Sequence, residues 1–283
     1  MKTFKQFLSE AKQLRESIDI TQFIEIDGKY TNNNGIINVD GNATIINYKE
    51  MIKNNIQFGV VSGSLYFWES SDVKEFIGMP KEVGGNFMCT AQASGRTSAA
   101  SSPKITSLEG CPEKVVGDLI IYGCVKLTSL KGAPQKVGGD FNCNSCSIIS
   151  LAGGPKEVGG SFLCNNNKLL SLEGAPKKVG GSFDCNSNTK ITSLEGCPEE
   201  IKGDFNCCWC NKLTSLEGAP RKVHGTFKCF NCNNLSSLKG APEYVGKLFD
   251  CTFNKSLKTL DGLSKNIKKI KCDTNLRKFL KDR

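Results

Sequence analysis

The sequence is poor in several residues and patterns on which many functional sites depend. It has one histidine in 283 residues, so His-rich metal sites are excluded and His-dependent acid–base catalysis would depend on His224 alone. It has no run of 18 apolar residues, which excludes a transmembrane helix. Its first residues carry a charge every few positions, so the apolar core of a signal peptide is missing as well. We therefore expect a protein that neither spans a membrane nor is secreted by a signal peptide.

Glycine and cysteine, in contrast, are abundant. The chain has 29 glycines and 15 cysteines, whereas only 39% of its residues are hydrophobic. This composition favours many turns around a thin core over a thick globular core. Cysteines in a chain without a secretion signal indicate free thiols in a reducing compartment.

An internal repeat dominates the sequence. Seven prolines recur at steps of 21 or 22 residues, each in the unit S-L-x-G-A/C-P-x-x-V-x-G-x-F-x-C-x-x-N/C. They are Pro112, Pro134, Pro155, Pro176, Pro198, Pro220 and Pro242. The same phase continues in weaker form towards both termini, from Ala43 and Ile45 to Ile270 and Cys272. The repeat therefore covers most of the chain, in about eleven units.

A unit of this length predicts one coil of a solenoid. Its Phe-x-Cys segment alternates with period two and is typical of a short strand whose Phe and Cys point the same way. The Gly-Gly pair before that strand permits a bend, and Leu-x-Gly-Ala-Pro predicts the turn that sends the chain back. A single unit cannot bury its apolar residues, but stacked units bury them as continuous columns. We predict a mainly β repeat solenoid with short terminal helices.

The unit resembles the leucine-rich repeat, whose pattern is L-x-x-L-x-L-x-x-N/C-x-L over 20–29 residues. In one copy the corresponding places are taken by Val179, Phe183, Cys185, Asn188, Ile191 and Leu194. The unit departs from the leucine-rich repeat pattern in two ways. Phe183 lies four rather than three positions after Val179, and a Cys replaces the second Leu of the strand. The resemblance implies a right-handed coil stack with extended or 3-10 backbone on its convex side.

The repeat divides the chain into four segments. We predict an amphipathic leader helix over 1–17, an N-terminal cap with degenerate coils over 18–62, the leucine-rich-repeat-like solenoid over 63–272 and a capping helix over 273–283. A step of 32 residues between Phe87 and Leu119 indicates an insertion over 91–102. Insertions in solenoids form surface loops, and we expect one here.

Two interpretations of the cysteines remain open. Cys207-x-x-Cys210 and Cys229-x-x-Cys232 have the spacing of a four-thiolate zinc site. In the alternative, the cysteine two residues after each strand Phe forms a buried column, and a second cysteine alternates with asparagine at the N/C position of the unit. There the side chain satisfies backbone groups of the turn. The asparagines at that position are Asn167, Asn188, Asn254 and Asn275. We favour this alternative and predict no metal and no cofactor.

The exposed positions of the strands predict where a partner binds. Most coils place polar residues there, but the later coils place Cys208, Trp209, Lys228, Phe230 and Phe253. Cys208 has no structural position in the repeat, so we expect it on the exposed side of its strand. Exposed Trp and Phe near a Lys are typical contact anchors, and stacking brings these residues together. We predict a protein-binding surface; in the alternative, Trp209 and Phe253 tuck into the turn.

No catalytic constellation is visible, and we predict that the protein is not an enzyme. The Val-Gly-Gly segments lack a following Lys-Ser/Thr, so they form no P-loop, and their recurrence indicates a structural role. His224 replaces one of these glycines and is interpreted as a surface substitution. Residues 265–283 carry +6 of the net charge of +9. We expect a solvated cap there in preference to a nucleic-acid-binding face.

The first residues resemble a capsid-targeting leader. The string MKTFKQFLSEA at 1–11 is similar to the leader of internal head proteins of T-even-like tailed phages, which takes the protein into the prohead. The prohead protease cuts after Glu in a Leu/Ile-x-Glu motif. Leu8 and Glu10 match that motif, which leaves Ala11 as the new N-terminus. The Val-Gly-Gly-x-Phe-x-Cys repeat also looks like repeat proteins encoded by large tailed phages.

This resemblance implies a protein-binding virion protein of the head interior that contacts the phage scaffold through residues 2–14. The alternative is an N-terminal cap helix of a protein that is never packaged. It would then act in the host cytoplasm as an interaction scaffold or as a host-defence antagonist.

Overall fold

In a computed structural model, the chain forms a stack of short parallel strands. The structure describes Gln6 and residues 18–68, 71–90 and 102–280. The strands of these residues are, in chain order, β1 (Ile24–Asn33), β2 (Ile36–Ile45), β3 (Gln57–Val61), β4 (Leu65–Phe67), β5 (Glu82–Val83), β6 (Phe87–Met88), β7 (Lys114–Val115), β8 (Leu119–Ile120), β9 (Lys136–Val137), β10 (Phe141–Asn142), β11 (Glu157–Val158), β12 (Phe162–Leu163), β13 (Lys178–Val179), β14 (Phe183–Asp184), β15 (Glu200–Ile201), β16 (Phe205–Asn206), β17 (Lys222–Val223), β18 (Phe227–Lys228), β19 (Tyr244–Val245), β20 (Phe249–Asp250) and β21 (Ile270–Lys271). The helices are a 3-10 helix over Ile20–Gln22, α1 over Tyr48–Lys53 and a 3-10 helix over Thr274–Leu280.

The strands form two parallel columns. The even-numbered strands from β4 to β20, followed by β21, make the front column, in which Phe162 pairs with Phe141 on one side and Phe183 on the other. The odd-numbered strands from β3 to β19 make the flank column, in which Val158 pairs with Val137. The predicted mainly β solenoid is thereby confirmed, with about ten coils about 22 residues apart.

Each coil differs from a leucine-rich repeat in its backbone. The leucine-rich repeat has one strand and a helix or 3-10 segment. Here each regular coil has two short strands joined by turns and bends, and the described coils from β7 to β20 contain no 3-10 segment. The many glycines and prolines of the return segment explain this difference, because they favour turns over helical backbone.

Continuous columns of side chains fill the core, as the period-two pattern predicts. The front-column phenylalanines from Phe141 to Phe249 are fully buried, with successive ring centroids 5.1–5.7 Å apart. The cysteine two residues after each of these rings is also fully buried. The phenylalanine and cysteine side chains both face inward because alternate residues of a strand point to the same side.

Neighbouring coils approach closely at the corner between the two columns, where each coil has at least one glycine in the two residues after its flank strand. A Cβ on Gly159 would lie 2.0 Å from the carbonyl oxygen of Gly138, and one on Gly160 would lie 2.1 Å from Asp140 Oδ1. Lys202 occupies the place of Gly159 in a later coil. At that coil the flank column is interrupted, and β15, β17 and β19 form a separate three-stranded sheet. Val116 and His224 fill the same place in coils whose flank strands remain paired, so the interruption is specific to the coil of Lys202.

Different elements close the two ends of the stack. At the N-terminal end, β1 pairs antiparallel with β2 through an Asn34-Gly35 turn, and β2 in turn pairs parallel with β3 and β4. At the C-terminal end, the 3-10 helix over Thr274–Leu280 buries Leu276. The predicted C-terminal cap is therefore present as a 3-10 helix over the part of 273–283 that the structure describes.

Two predictions at the boundaries need correction. Asn275 is exposed within the terminal 3-10 helix and takes no part in the asparagine column, because the chain winds into the helix where other coils make their turn. Ser102, assigned to the insertion, is buried and donates its hydroxyl to the carbonyl of Gly123, so it belongs to a coil. The rest of the insertion, 91–101, lies outside the described residues, as does the predicted leader helix apart from Gln6.

Candidate functional site

The front strands end in turns with a shared backbone geometry. In six coils the second residue after the strand cysteine has a φ of 54–60°, in the left-handed region. These residues are Ser145, Asn166, Ser187, Trp209, Asn231 and Phe253. In the stack, the N–H of Trp209 donates to the carbonyl of Phe230 at 3.2 Å, and that of Asn231 to Thr252 at 3.1 Å. Hydrogen bonds between coils thus fix this backbone whatever side chain it carries.

Two large aromatic residues occupy this left-handed position. Such a φ is common for Gly and tolerated by Asn, but it is an outlier for a bulky residue, because its Cβ crowds the following carbonyl. Trp209 is 47% exposed and Phe253 61% exposed, so both rings lie on the surface and do not tuck into the turn. They are two coils apart, which corresponds to roughly 10 Å at the usual strand spacing.

The other residues predicted for this surface contribute unequally. Phe230 lies in the coil between the two rings and is half-buried. Lys228, in the same coil, is partly exposed and forms an ion pair with Asp204 at 3.0 Å. We call Trp209, Lys228, Phe230 and Phe253 the aromatic patch.

The predicted exposure of Cys208 is wrong, because this residue is only 1% exposed. The left-handed turn at the next residue redirects the chain, and Cys208 lies in register between two larger residues, Asn186 and Phe230. Its backbone N–H donates to Asn206 Oδ1 at 3.1 Å. A small side chain at this point is therefore enclosed and unavailable to a partner.

Cysteine and asparagine alternate at the N/C position because each donates a hydrogen bond to the same kind of acceptor. Asn188 Nδ2 donates to the carbonyl of Cys164, the strand cysteine of the preceding coil, at 3.0 Å. The thiol of Cys232 likewise donates to the carbonyl of Cys207, at 3.1 Å. The predicted role of this position, to satisfy backbone groups of the turn, is confirmed for the asparagines and cysteines of the regular coils.

Burial keeps the column thiols in their neutral form. It raises the pKa of Cys143, Cys185 and Cys229 well above the ordinary value for a thiol. A protonated thiol donates a hydrogen bond but is a poor nucleophile and a poor metal ligand. Across 18–68, 71–90 and 102–280, no three His, Cys, Asp or Glu side chains are grouped so that they could hold a metal ion.

The histidine belongs to a charged cluster on the flank surface. His224 Nε2 lies 2.6 Å from Glu200 Oε1, and Lys202 donates to the same oxygen at 2.8 Å. Hydrogen bonds from Lys202 and then His224 lower the pKa of Glu200 to about 2. His224 is exposed, in keeping with its interpretation as a surface substitution.

The structure also contains a polar ladder that the sequence reasoning missed. The residue before the front strand was left as any residue, yet from Asn42 to Asp204 its side chain accepts from the backbone N–H of the equivalent residue one coil later. Asp118 Oδ1, for example, accepts from the N–H of Asp140 at 2.7 Å. The ladder runs through Asn42, Ser64, Asn86, Asp118, Asp140, Ser161, Ser182, Asp204 and Thr226. The short polar residue found at this place in every one of these coils was the available signal.

The processing residues Leu8, Glu10 and Ala11 lie outside the described residues. In the basic C-terminal segment, Lys271 forms an ion pair with Asp250 at 3.1 Å. None of the helices that the structure describes has the length and apolar character needed to cross a membrane.

Comparisons with known proteins give no family for this chain: no protein-family model, no curated protein and no solved structure matches it.

Proposed function

We propose that this protein is a non-enzymatic solenoid that binds another protein through the aromatic patch. One observation carries the proposal: Trp209 and Phe253 occupy a left-handed position at which the other regular coils have Ser, Asn or Gly. A bulky side chain there costs about 1–2 kcal/mol of backbone strain. Because Trp209 is 47% and Phe253 61% exposed, burial in the folded chain covers only part of each side chain.

Strained backbone at an exposed aromatic residue favours a functional explanation. Trp and Phe are effective anchors in protein interfaces, since they bury a large area with few rotatable bonds. Phe230 between the two rings and Lys228 beside it add an apolar contact and a charge to the same three coils. The fixed backbone supports this role, because a rigid platform lowers the entropy lost when a partner binds.

Replacing Trp209 with asparagine is expected to stabilise the protein by about 1 kcal/mol while it removes partner binding. Asparagine relieves the backbone strain and takes away the anchor. Unfolding in urea measures the first effect, and capture from lysate with immobilised protein, compared by quantitative mass spectrometry, measures the second. Trp68→Asn is the matched control, because Trp68 is a 54% exposed tryptophan at the other end of the stack.

Two results would contradict the proposal. If Trp209→Asn lowered the stability, the ring would be serving the fold. If it retained every protein that the wild type and Trp68→Asn capture, the ring would not be an anchor. Phe253→Asn should reproduce the binding loss in part, because it removes the second ring and leaves the first.

We also propose, from the leader sequence alone, that the protein is an internal head protein of a tailed phage that is trimmed after Glu10. The similarity of residues 1–11 to capsid-targeting leaders supports this setting. The alternative function keeps the binding solenoid but places it, unpackaged, in the host cytoplasm as a scaffold or a host-defence antagonist.

N-terminal peptide mapping of the protein from purified particles and from infected cells distinguishes these settings. A mature start at Ala11 in particles is the expected result. An intact Met1 in cells, with no protein in the particles, would contradict packaging and favour the cytoplasmic alternative.

A further inference from the structure

The N-terminal end of the stack presents a long strand edge. Among the described residues, β1 pairs with β2 alone, over ten residue pairs from Ile24–Ile45 to Asn33–Ile36. The C-terminal end, by comparison, has a two-residue strand followed by the terminal 3-10 helix. An edge of this length is a template for pairing with another strand.

The backbone groups on this edge are identified by the hydrogen bonds of β2. Gly41 accepts from Gly63 N, Ala43 N donates to Ser64, and Val39 accepts from Ser62 N, so these three residues of β2 face the next coil. Their antiparallel partners are Gly28, Ile26 and Tyr30, respectively. These are non-hydrogen-bonded pairs of the antiparallel ladder, in which both residues direct their N–H and C=O away from each other. The peptide groups of Ile26, Gly28 and Tyr30 therefore point out of the stack.

The side chains of β1 divide into two rows. Ile26 and Tyr30 lie opposite the buried residues Ala43 and Val39, and so on the core side of the sheet. Tyr30 is nevertheless 47% exposed. Asp27 and Lys29 belong to the other row and are exposed. The end of the core thus presents apolar side chains beside two opposite charges.

We propose that this edge pairs with the same edge of a second copy of the chain, antiparallel, with Gly28 opposite Gly28. In this register Asp27 of each copy lies opposite Lys29 of the other, and Ile26 lies opposite Tyr30. Both charge pairs are attractive, and both apolar pairs extend the core across the junction. The outward peptide groups of one copy meet those of the other.

Neighbouring registers fit less well. A shift that centres the pairing on Asp27 or on Lys29 places like charges directly opposite, which is destabilising. The backbone at Gly28 favours the same choice: Gly28 has a φ of 139°, and a Cβ on it would lie 2.2 Å from the carbonyl oxygen of Asp40. The register centred on Gly28 sets the glycine of one copy opposite the glycine of the other.

Sedimentation equilibrium of the full chain tests the dimer. The wild type should have twice the monomer mass of 30.8 kDa. Tyr30→Lys should weaken association at least about tenfold, because it places a charge against the apolar Ile26 at both ends of the junction. Tyr244→Lys is the matched control, since Tyr244 is a 45% exposed tyrosine on the flank of a late coil, and this variant should remain dimeric.

Cysteine cross-linking tests the register. A mixture of Asp27→Cys and Lys29→Cys chains should form a disulfide between different chains faster than either variant alone. In the proposed register these positions form a non-hydrogen-bonded pair, with Cα atoms about 4.5 Å apart, within the range of a disulfide. Apart from the half-buried Cys197, the native thiols are buried and should contribute little background.

Several results would overturn the inference. A monomeric wild type would show that the edge is left unpaired or is covered by the chain itself or by another molecule. A Tyr30→Lys variant that stays as dimeric as Tyr244→Lys would place the interface elsewhere. Cross-linking of Asp27→Cys alone as fast as the mixture would contradict the register.

Discussion

Replacement of Phe205 with alanine is expected to lower the free energy of unfolding by about 3–5 kcal/mol. Phe205 is fully buried between Phe183 and Phe227, with ring centroids 5.7 and 5.1 Å away. Its removal leaves a cavity that the neighbouring coils cannot close, because strand pairing on both sides fixes their spacing. Urea unfolding followed by far-UV circular dichroism measures the loss.

Phe205→Leu is the matched variant for this prediction. Leu119 occupies the equivalent place in another coil and is fully buried there, so a leucine is compatible with the column. We expect Phe205→Leu to lose about 1 kcal/mol. Equal losses for the two variants would contradict this prediction, because a leucine that refills most of the cavity would then restore no stability.

The second large effect is expected at Asn188. Replacement with alanine should lower the free energy of unfolding by about 3 kcal/mol or more, since it leaves several buried backbone groups without a hydrogen-bond partner. Asn188 Nδ2 donates to the carbonyls of Cys164 and Cys185, at 3.0 and 2.9 Å, and its Oδ1 accepts from Leu169 N at 3.3 Å. The same urea experiment measures the change.

Asn188→Cys should lose much less stability than Asn188→Ala. The chain itself places cysteine at this position in other coils, where the Cys210 thiol donates to the carbonyl of Cys185 and the Cys232 thiol to that of Cys207. A cysteine variant as unstable as the alanine variant would show that the thiol does not replace the amide.

Positions at which every coil uses its side chain in the same way were predictable from the sequence. Phe183 and Cys185 alternate with period two in a unit that recurs, so their burial follows from strand geometry. The role of Asn188 was also predictable, because asparagine and cysteine share little except size and the ability to donate a hydrogen bond. Because the unit recurs, equivalent positions of different coils can be compared within this one sequence.

The remaining features depend on contacts that a pattern does not specify. The exposure of Cys208 was predicted wrongly because it depends on the turn at Trp209, whose left-handed backbone is unusual for tryptophan. The Ser and Asn residues found there in other coils were a signal for that turn. The hairpin of β1 and β2 also had a signal, since Asn34-Gly35 is a favoured two-residue hairpin turn.

The spacing of paired strands has a consequence for how the chain folds. Although the protein is mainly β, each front strand pairs with a strand only 21 or 22 residues away over most of the chain. Relative to 283 residues, this separation gives strand pairing a contact order of about 0.08, in the range of helical bundles. One formed coil is a template for the next, so folding can begin at several places and spread by short loop closures. We therefore expect the stack to form through local steps between adjacent coils, without the long loop closures that a β-sandwich of this length would need.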